Sequence, residues 1–190
     1  MDTRFAALTL EQRHQFNDTL SRFPPRISEL TFTNLFCWRG SKAYEYATRD
    51  DHLLVRFRSE GRWASLQPIG PNPSRMMTSL LRDKMTFERV DAGLAKELTD
   101  EFIIERQPDM DDYVYALEDM RDLAGRKYAA KRNFIKRFSE MKPDVCKLDA
   151  ASVDEFLTHQ EEWCAMRNCS GEESLQAEND AIREALAHFR

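Results

Sequence analysis

The chain has 190 residues, of which 42% are hydrophobic and 32% are charged, and its formal net charge at pH 7 is −5. This composition is typical of a soluble globular protein with room for one good-sized domain, or for one domain and part of another. The acidic balance argues against a generally basic protein that coats nucleic acid, although it leaves room for a local basic surface.

Targeting signals and cysteines bear on the compartment. No apolar run approaches the roughly 20 residues needed to cross a bilayer, and the N-terminus lacks the apolar stretch of a signal peptide. We therefore expect a cytoplasmic protein. The four cysteines include no CxxC pair, so we predict reduced thiols rather than a disulfide framework.

The first half of the chain alternates helical and strand patterns. Thr9 and Gln12 have the spacing of a capping box for an opening helix, and Ser28 is expected to cap a second helix over 29–35. Apolar residues then alternate in three short runs, which predicts a meander of three strands. The three runs lie near 44–46, 53–57 and 63–67, and they are followed by a helix over 75–85, a strand over 87–90, a helix over 92–99 and a strand over 102–104.

The second half is predominantly helical. A helix over 117–123 and a basic helix over 126–141 are separated by a break at Gly125. A strand over 145–148 and two helices over 152–167 and 175–189 complete the chain. The whole pattern predicts an α/β (α+β) fold, with a mixed sheet flanked by helices.

The basic helix is the most informative stretch, because Gly125–Phe138 holds six basic residues and no acid. Tyr128, Phe134, Ile135 and Phe138 share an apolar face that includes Lys127 and Lys131. Two interpretations stay open: a solvated helix whose cations pair with Glu118, Asp119 and Asp122, or a helix that binds the phosphates of a nucleotide or nucleic acid. The candidate phosphate ligands are Arg126, Lys127, Lys131, Arg132, Lys136 and Arg137.

Three blocks of the sequence resemble one bacterial family. SELTFTNLFCW at 28–38, DYVY at 112–115 and the segment 123–138 are similar to the patterns "SDLTFTNLF.W" and "DYVY…L.GKK…KRN.I..F" of the phosphatidylglycerol lysyltransferase C-terminal-domain family. Trp163 and the helix through Phe189 are also similar to that family, so the resemblance covers nearly the whole chain.

The resemblance implies tandem GNAT-like acyltransferase domains, related to Fem-type enzymes that move an amino acid from aminoacyl-tRNA to a lipid or a cell-wall peptide. It implies a first GNAT-like domain with its joining helix at 1–142 and the beginning of a second, incomplete GNAT-like domain at 143–190. The family pattern continues beyond the equivalent of Phe189, so we expect a chain that stops inside the second domain. Partner binding would then involve tRNA through the six basic residues, and catalysis by the fragment stays open.

Two other functions are compatible with the sequence. A non-catalytic scaffold would bind a partner or a second copy through exposed apolar residues of the last two helices, namely Phe156, Leu157, Trp163, Leu175, Ile182 and Leu186. An acyl-CoA-dependent N-acetyltransferase would need a glycine-rich turn opening a helix, for which Gly125 with Arg126 is the nearest candidate.

The sequence predicts no metal, no cofactor and no identifiable catalytic residue. His159, Cys164 and Cys169 are five residues apart, a spacing that does not converge on one side of a helix, so buried thiols are the favoured interpretation. Asp109, Asp111 and Asp112 lack the spacing of a calcium loop and are interpreted as a solvated turn.

Overall fold

The computed structural model describes residues 3–98 and 101–189, and it confirms the α+β class. A four-stranded antiparallel sheet, with the strands in chain order, forms its centre. A parallel bridge between Ser65 and Phe87 extends the sheet edge. The strands are β1 Ala6–Ala7, β2 Glu45–Arg49, β3 His52–Ser59 and β4 Arg62–Ser65.

The predicted meander corresponds to β2, β3 and β4, and two tight turns, at 50–51 and 60–61, join these strands. Asp50, Asp51, Glu60 and Gly61 all have positive φ, between 47° and 79°. Turns with both central residues in this region match the twist of antiparallel strands and therefore make tight hairpins.

Strand β3 is buried on both of its faces, which divides the core into two layers. Leu53, Val55 and Phe57 face one layer together with Phe16, whereas Leu54 faces the other layer. Helices cover the two faces of the sheet, as the alternating pattern predicted.

The helices before residue 98 belong to this body. A 3₁₀ turn at Leu10–Gln12 leads into the first helix, and the Gln12 side chain accepts a hydrogen bond from the Thr9 N–H at 2.9 Å. The helices are α1 Arg13–Arg22, α2 Phe32–Cys37, α3 Arg39–Lys42, α4 Pro73–Leu81 and α5 Ala92–Ala95.

Four further helices follow residue 101, and the last of them returns to the first body. They are α6 Leu117–Asp122, α7 Ala129–Glu140, α8 Val153–Arg167 and α9 Glu173–Ala187. Arg39 of α3 and Glu184 of α9 form an ion pair at 2.7 Å, and the His188 ring packs edge-on against Phe36 of α2. Helix α9 therefore packs on the sheet-containing body. None of the helices in the described ranges is long and apolar enough to span a bilayer.

Several predicted elements differ from the structure. The second helix begins at Phe32 because Thr31, not Ser28, accepts the Asn34 N–H and caps it. The segments 102–104 and 145–148 are not strands, because an apolar run forms a strand only where a neighbouring edge is free to pair with it. The predicted strand over 87–90 is reduced to the bridge at Phe87. The helix over 92–99 ends at Ala95, and its last predicted residue, Thr99, lies outside the described residues.

The prediction that Cys164 and Cys169 are reduced thiols is wrong, because the two residues form a disulfide with Cα atoms 5.0 Å apart. The helical spacing argument failed since α8 ends between them. Asn168 adopts a left-handed conformation with φ of 54°, and this reverses the chain and returns Cys169 to the last turn of α8.

Candidate functional site

A tight corner joins α6 to the basic helix α7. Leu123 and Gly125 have φ of 45° and 85°, in the region that glycine tolerates best. A 3₁₀ turn at Arg126–Tyr128 follows and leads directly into α7. The sequence therefore places the break correctly at Gly125. Gly125 follows a helix rather than a strand, so it does not provide the strand–turn–helix arrangement expected for an acyl-CoA site.

Two of the six predicted phosphate ligands stabilise this corner. Lys127 Nζ lies 2.9 Å from a carboxylate oxygen of Asp119, which also accepts a hydrogen bond from the Tyr128 hydroxyl at 3.2 Å. The two hydrogen bonds lower the pKa of Asp119. The hydrogen bond that Lys127 donates to Asp119 also raises the pKa of Lys127. Arg132 donates to the carbonyl oxygens of Leu123 and Gly125, the latter at 2.8 Å.

The other four basic residues form weaker contacts or none within the described part of the chain. Lys136 lies 3.9 Å from Glu140, a surface pair of the kind that contributes little to stability. Within residues 3–98 and 101–189, Arg126, Lys131 and Arg137 form no ion pair and no side-chain hydrogen bond. The two interpretations of the basic helix thus each hold for part of it: pairing with Asp119 occurs at Lys127, and three cations remain available.

The apolar side of α7 faces solvent. Phe134 is 64% exposed, and Ile135 and Phe138 are each 53% exposed. Lys131 lies one helical turn before Ile135, at the N-terminal end of this side, and Met141 follows Phe138 at 77% exposure. The described part of α7 contains no buried residue. The helix therefore has the pattern of a core-facing helix without a core against it.

Two of the family-like blocks meet in the structure, which the sequence did not predict. The Asp112 carboxylate, which opens DYVY, accepts hydrogen bonds from Ser28 N–H at 3.0 Å and from the Ser28 hydroxyl at 2.7 Å. These bonds lower the pKa of Asp112. The solvated turn predicted for the three aspartates is thus correct in its exposure but incomplete, because Asp112 attaches the segment to the body.

A polar cluster lies beside that attachment. Arg89 and Glu29 form an ion pair in which both side chains are half-buried. Arg89 has a φ of 56°, a conformation that is uncommon for a residue with a Cβ. Tyr44 is buried nearby, and burial raises its pKa to about 12. Glu29 belongs to the SELTF block, whereas no sequence signal marked Arg89.

The interface expected on the last two helices is only partly available. Leu175, Ile182 and Leu186 of α9 are half-buried, since α9 packs on α2 and α3. Phe156 and Trp163 of α8 remain 41% and 36% exposed.

Comparison with known proteins identifies the family. The family model described as "Phosphatidylglycerol lysyltransferase, C-terminal" matches residues 20–190. The chain belongs to this family. The match includes strands β2, β3 and β4, the Ser28–Asp112 attachment and the basic helix, and it supports a transferase-related role.

One solved structure extends the comparison. A conserved protein of unknown function from Bacteroides thetaiotaomicron is 28% identical and superposes with a TM-score of 0.83. The alignment covers 97% of this chain and 67% of the Bacteroides chain. The family member described here therefore shares nearly all of its fold with a protein that has a further third of unmatched chain. No curated protein matches the chain.

Proposed function

We propose that this chain is part of an aminoacyl-tRNA-dependent acyltransferase, in which the basic helix α7 contacts tRNA phosphates. The observation that carries the proposal is the set of three cations, Arg126, Lys131 and Arg137, without an acidic partner in the described ranges. Membership of the lysyltransferase family supports the reaction class. Arginine offers phosphate a bidentate pair of donors, which a solvated surface helix does not require.

The proposed reaction requires little covalent participation by the protein. The ester of an aminoacyl-tRNA is already activated, so the protein has to hold the acceptor nucleophile close to the carbonyl carbon and stabilise the developing oxyanion. Lys127 and Arg132 would act indirectly, because their contacts fix the corner from which α7 projects. Arg126, Lys131 and Arg137 would contact phosphates directly.

The proposal includes a domain arrangement. Residues 1–142 would be a GNAT-like domain with its joining helix, residues 143–190 would begin a second such domain, and the aminoacyl donor would meet its acceptor between the two. The extent of the Bacteroides protein, of which this chain matches 67%, supports a larger active unit. A cytoplasmic location would give the protein access to aminoacyl-tRNA.

Binding of fluorescent lysyl-tRNA tests the role of α7. We expect the variant Arg126→Ala/Lys131→Ala/Arg137→Ala to bind at least tenfold more weakly at 50 mM salt. The slope of log affinity against log salt should become shallower by about two to three, since each phosphate contact contributes about 0.7–0.9 to that slope. A matched control, Arg13→Ala/Arg75→Ala/Arg82→Ala, removes three exposed cations from α1, α4 and the residue after α4.

Equal losses in the two triple variants would mean that only net charge matters, and this would contradict a specific role for α7. Unchanged binding in both variants would exclude phosphate contacts by this helix altogether.

An interaction role without catalysis is the second candidate, and the solvent-facing apolar side of α7 favours it. Transfer of radiolabelled lysine from lysyl-tRNA to phosphatidylglycerol vesicles separates the two. Product formation that depends on Arg126, Lys131 and Arg137 supports the transferase. Binding of tRNA without any product, by this chain and also by the longer Bacteroides protein, favours the interaction role.

A further inference from the structure

A short-range disulfide lies where α8 ends. Cys164 belongs to the last turn of α8, and Cys169 opens the 3₁₀ turn Cys169–Gly171 that precedes α9. Cys169 is buried, whereas Cys164 is half-buried. A reagent in solution therefore reaches Cys164 more easily than Cys169. The other two cysteines, Cys37 and Cys146, are free thiols, so this bond is not part of a disulfide framework.

We propose that Cys164 and Cys169 form a reversible thiol–disulfide site, which exchanges with low-molecular-weight thiols and disulfides of the glutathione type. The two cysteines are five residues apart, and the stabilisation that a disulfide provides by constraining the unfolded chain is smaller for a shorter loop. This bond therefore stabilises the fold less than a bridge between distant segments would. The argument from compartment rests on the proposed function: use of aminoacyl-tRNA places the chain where thiols are kept reduced, and disulfides there are usually transient.

The turn that brings the two cysteines together is formed by backbone contacts of its own. The Gly171 N–H donates to the Asn168 carbonyl oxygen at 2.9 Å, and the Glu172 N–H donates to the Cys169 carbonyl oxygen at 3.1 Å. A Cβ on Gly171 would lie 2.4 Å from the side-chain nitrogen of Asn168, so glycine is required for this close approach. The Cα atoms of the two cysteines are 5.0 Å apart, within the range that a disulfide spans. The reduced thiols would thus stay close together, which favours fast closure of the bond.

The exchange is balanced with one small disulfide as the oxidant. The Cys164 thiolate attacks one sulfur of oxidised glutathione, the S–S bond of glutathione breaks, and one glutathione leaves as its thiolate. The Cys169 thiolate then attacks the Cys164 sulfur of this mixed disulfide and displaces the second glutathione. Two electrons pass from the cysteine sulfurs to the glutathione sulfurs, and the two departing thiolates take up the two protons that the cysteines lose. Reduction follows the same steps in reverse.

The bond also holds α8 against α9. Within the described ranges α8 contains no buried residue, and its main packing contacts are with α9 and the 3₁₀ turn. Besides the disulfide, an ion pair between Glu161 and Arg183 at 2.8 Å joins the two helices. Helix α9 is attached to the sheet-containing body independently, through the Arg39–Glu184 pair. Reduction would therefore loosen α8 and leave α9 in place.

Titration with glutathione tests the exchange. In the 190-residue chain, Cys37→Ser/Cys146→Ser leaves only this pair to react. The protein is equilibrated in buffers that range from a roughly hundredfold excess of reduced glutathione to a roughly hundredfold excess of oxidised glutathione. Intact mass after alkylation counts the thiols, and we expect complete conversion from dithiol to disulfide across the range. If the double variant does not fold, peptide mass mapping of the parent chain gives the same count.

Two matched variants test the order of attack. With Cys169→Ser added, oxidised glutathione should form a mixed disulfide at Cys164. With Cys164→Ser added, the mixed disulfide at Cys169 should form at least tenfold more slowly, because Cys169 is buried. Equal rates would contradict the assignment of Cys164 as the residue that reacts first.

A pair that stays oxidised in the excess of reduced glutathione would overturn the proposal, and so would a pair that stays reduced in the excess of oxidised glutathione. Hydrogen–deuterium exchange measures the effect on α8. Exchange in α8 should be at least tenfold faster in the reduced chain, while β3 keeps its protection. Equal exchange of α8 in the two redox states would contradict its release by reduction. These measurements involve no tRNA, so loss of this proposal and loss of tRNA binding by α7 are observed separately.

Discussion

Two regions of this molecule have similar apolar patterns, but the apolar residues are buried in one region and exposed in the other. In the body formed by residues 3–98, alternating residues of β3 lie in two buried layers. In the region 101–150, which includes α6 and α7, the apolar residues of an amphipathic helix and its flanks face solvent. Both regions obey the periodicity of their secondary structure. The difference teaches that periodicity predicts which side is apolar, whereas burial requires a second surface.

The comparison is tested most strongly by one substitution in each region. Phe16 is fully buried, with its ring 5.7 Å from that of Phe32 and 5.6 Å from that of Tyr46. We expect Phe16→Ala to lower the free energy of unfolding by about 3–5 kcal/mol through loss of burial and a residual cavity. Phe138→Ala removes the same atoms from the solvent-facing apolar side of α7 and should change the free energy of unfolding by less than about 0.5 kcal/mol.

Urea unfolding of the two variants and the parent chain measures both values. Similar losses in the two variants would show that α7 is packed against something in the isolated chain, and the contrast between the regions would disappear.

The same contrast explains how far the sequence could predict the fold. The meander was predictable because Leu53, Val55 and Phe57 alternate with other residues, and because turns at 50–51 and 60–61 bound this run. The apolar residues at 145–148 also predicted a strand, but a strand needs a free edge, and the position of an edge is a property of the whole fold. Ser28 was a plausible helix cap, yet its hydroxyl donates to Asp112, 84 residues away.

The candidate site was predictable to a similar degree. The sequence indicated which cations lie on α7, and it suggested Asp119 as a partner. It could not separate Lys127 from Lys131, because only the corner geometry at Leu123 and Gly125 brings Lys127 to Asp119. The hydrogen bonds that Arg132 donates to the carbonyl oxygens of Leu123 and Gly125 depend on the same corner.

Titration of Tyr44 sharpens the description of the buried body. Burial raises its pKa from 10.0 to about 12, so the folded state disfavours the phenolate. The unfolded chain ionises first, and stability that is fully present below pH 10 is lost as pH rises toward 12. The free energy of unfolding should fall by up to about 1.4 kcal/mol per pH unit in this range, and by no more than about 3 kcal/mol in total.

Tyr44→Phe removes this ionisation and should lose the alkaline slope relative to the parent chain. Unfolding by urea at pH 9, 10 and 11 measures the difference. Parallel curves for the two proteins would show that Tyr44 is accessible to water in the folded state, and that the body is less well packed than its low exposure indicates.

The smallest expected effect concerns the attachment between the two regions. Hydrogen bonds from Ser28 lower the pKa of Asp112, so their contribution is present above the ordinary value of 3.8 and is lost as pH falls through the lower folded-state pKa. Because Asp112 is exposed, Asp112→Asn should cost no more than about 1 kcal/mol at pH 7. Asp109→Asn makes the same charge change on an exposed residue and should have no effect.

Hydrogen exchange resolves this effect better than global unfolding, since the region around 110–116 has little buried surface of its own. Exchange there should accelerate several-fold in Asp112→Asn at pH 7, while β3 keeps its protection. In the parent chain the same acceleration should appear only as the pH falls below 3.8 and through the lower folded-state pKa of Asp112, after correction for intrinsic exchange. If β3 is also deprotected in Asp112→Asn, the bond stabilises the sheet body itself, and residues 101–150 are then a structural part of that body rather than a segment attached to its surface.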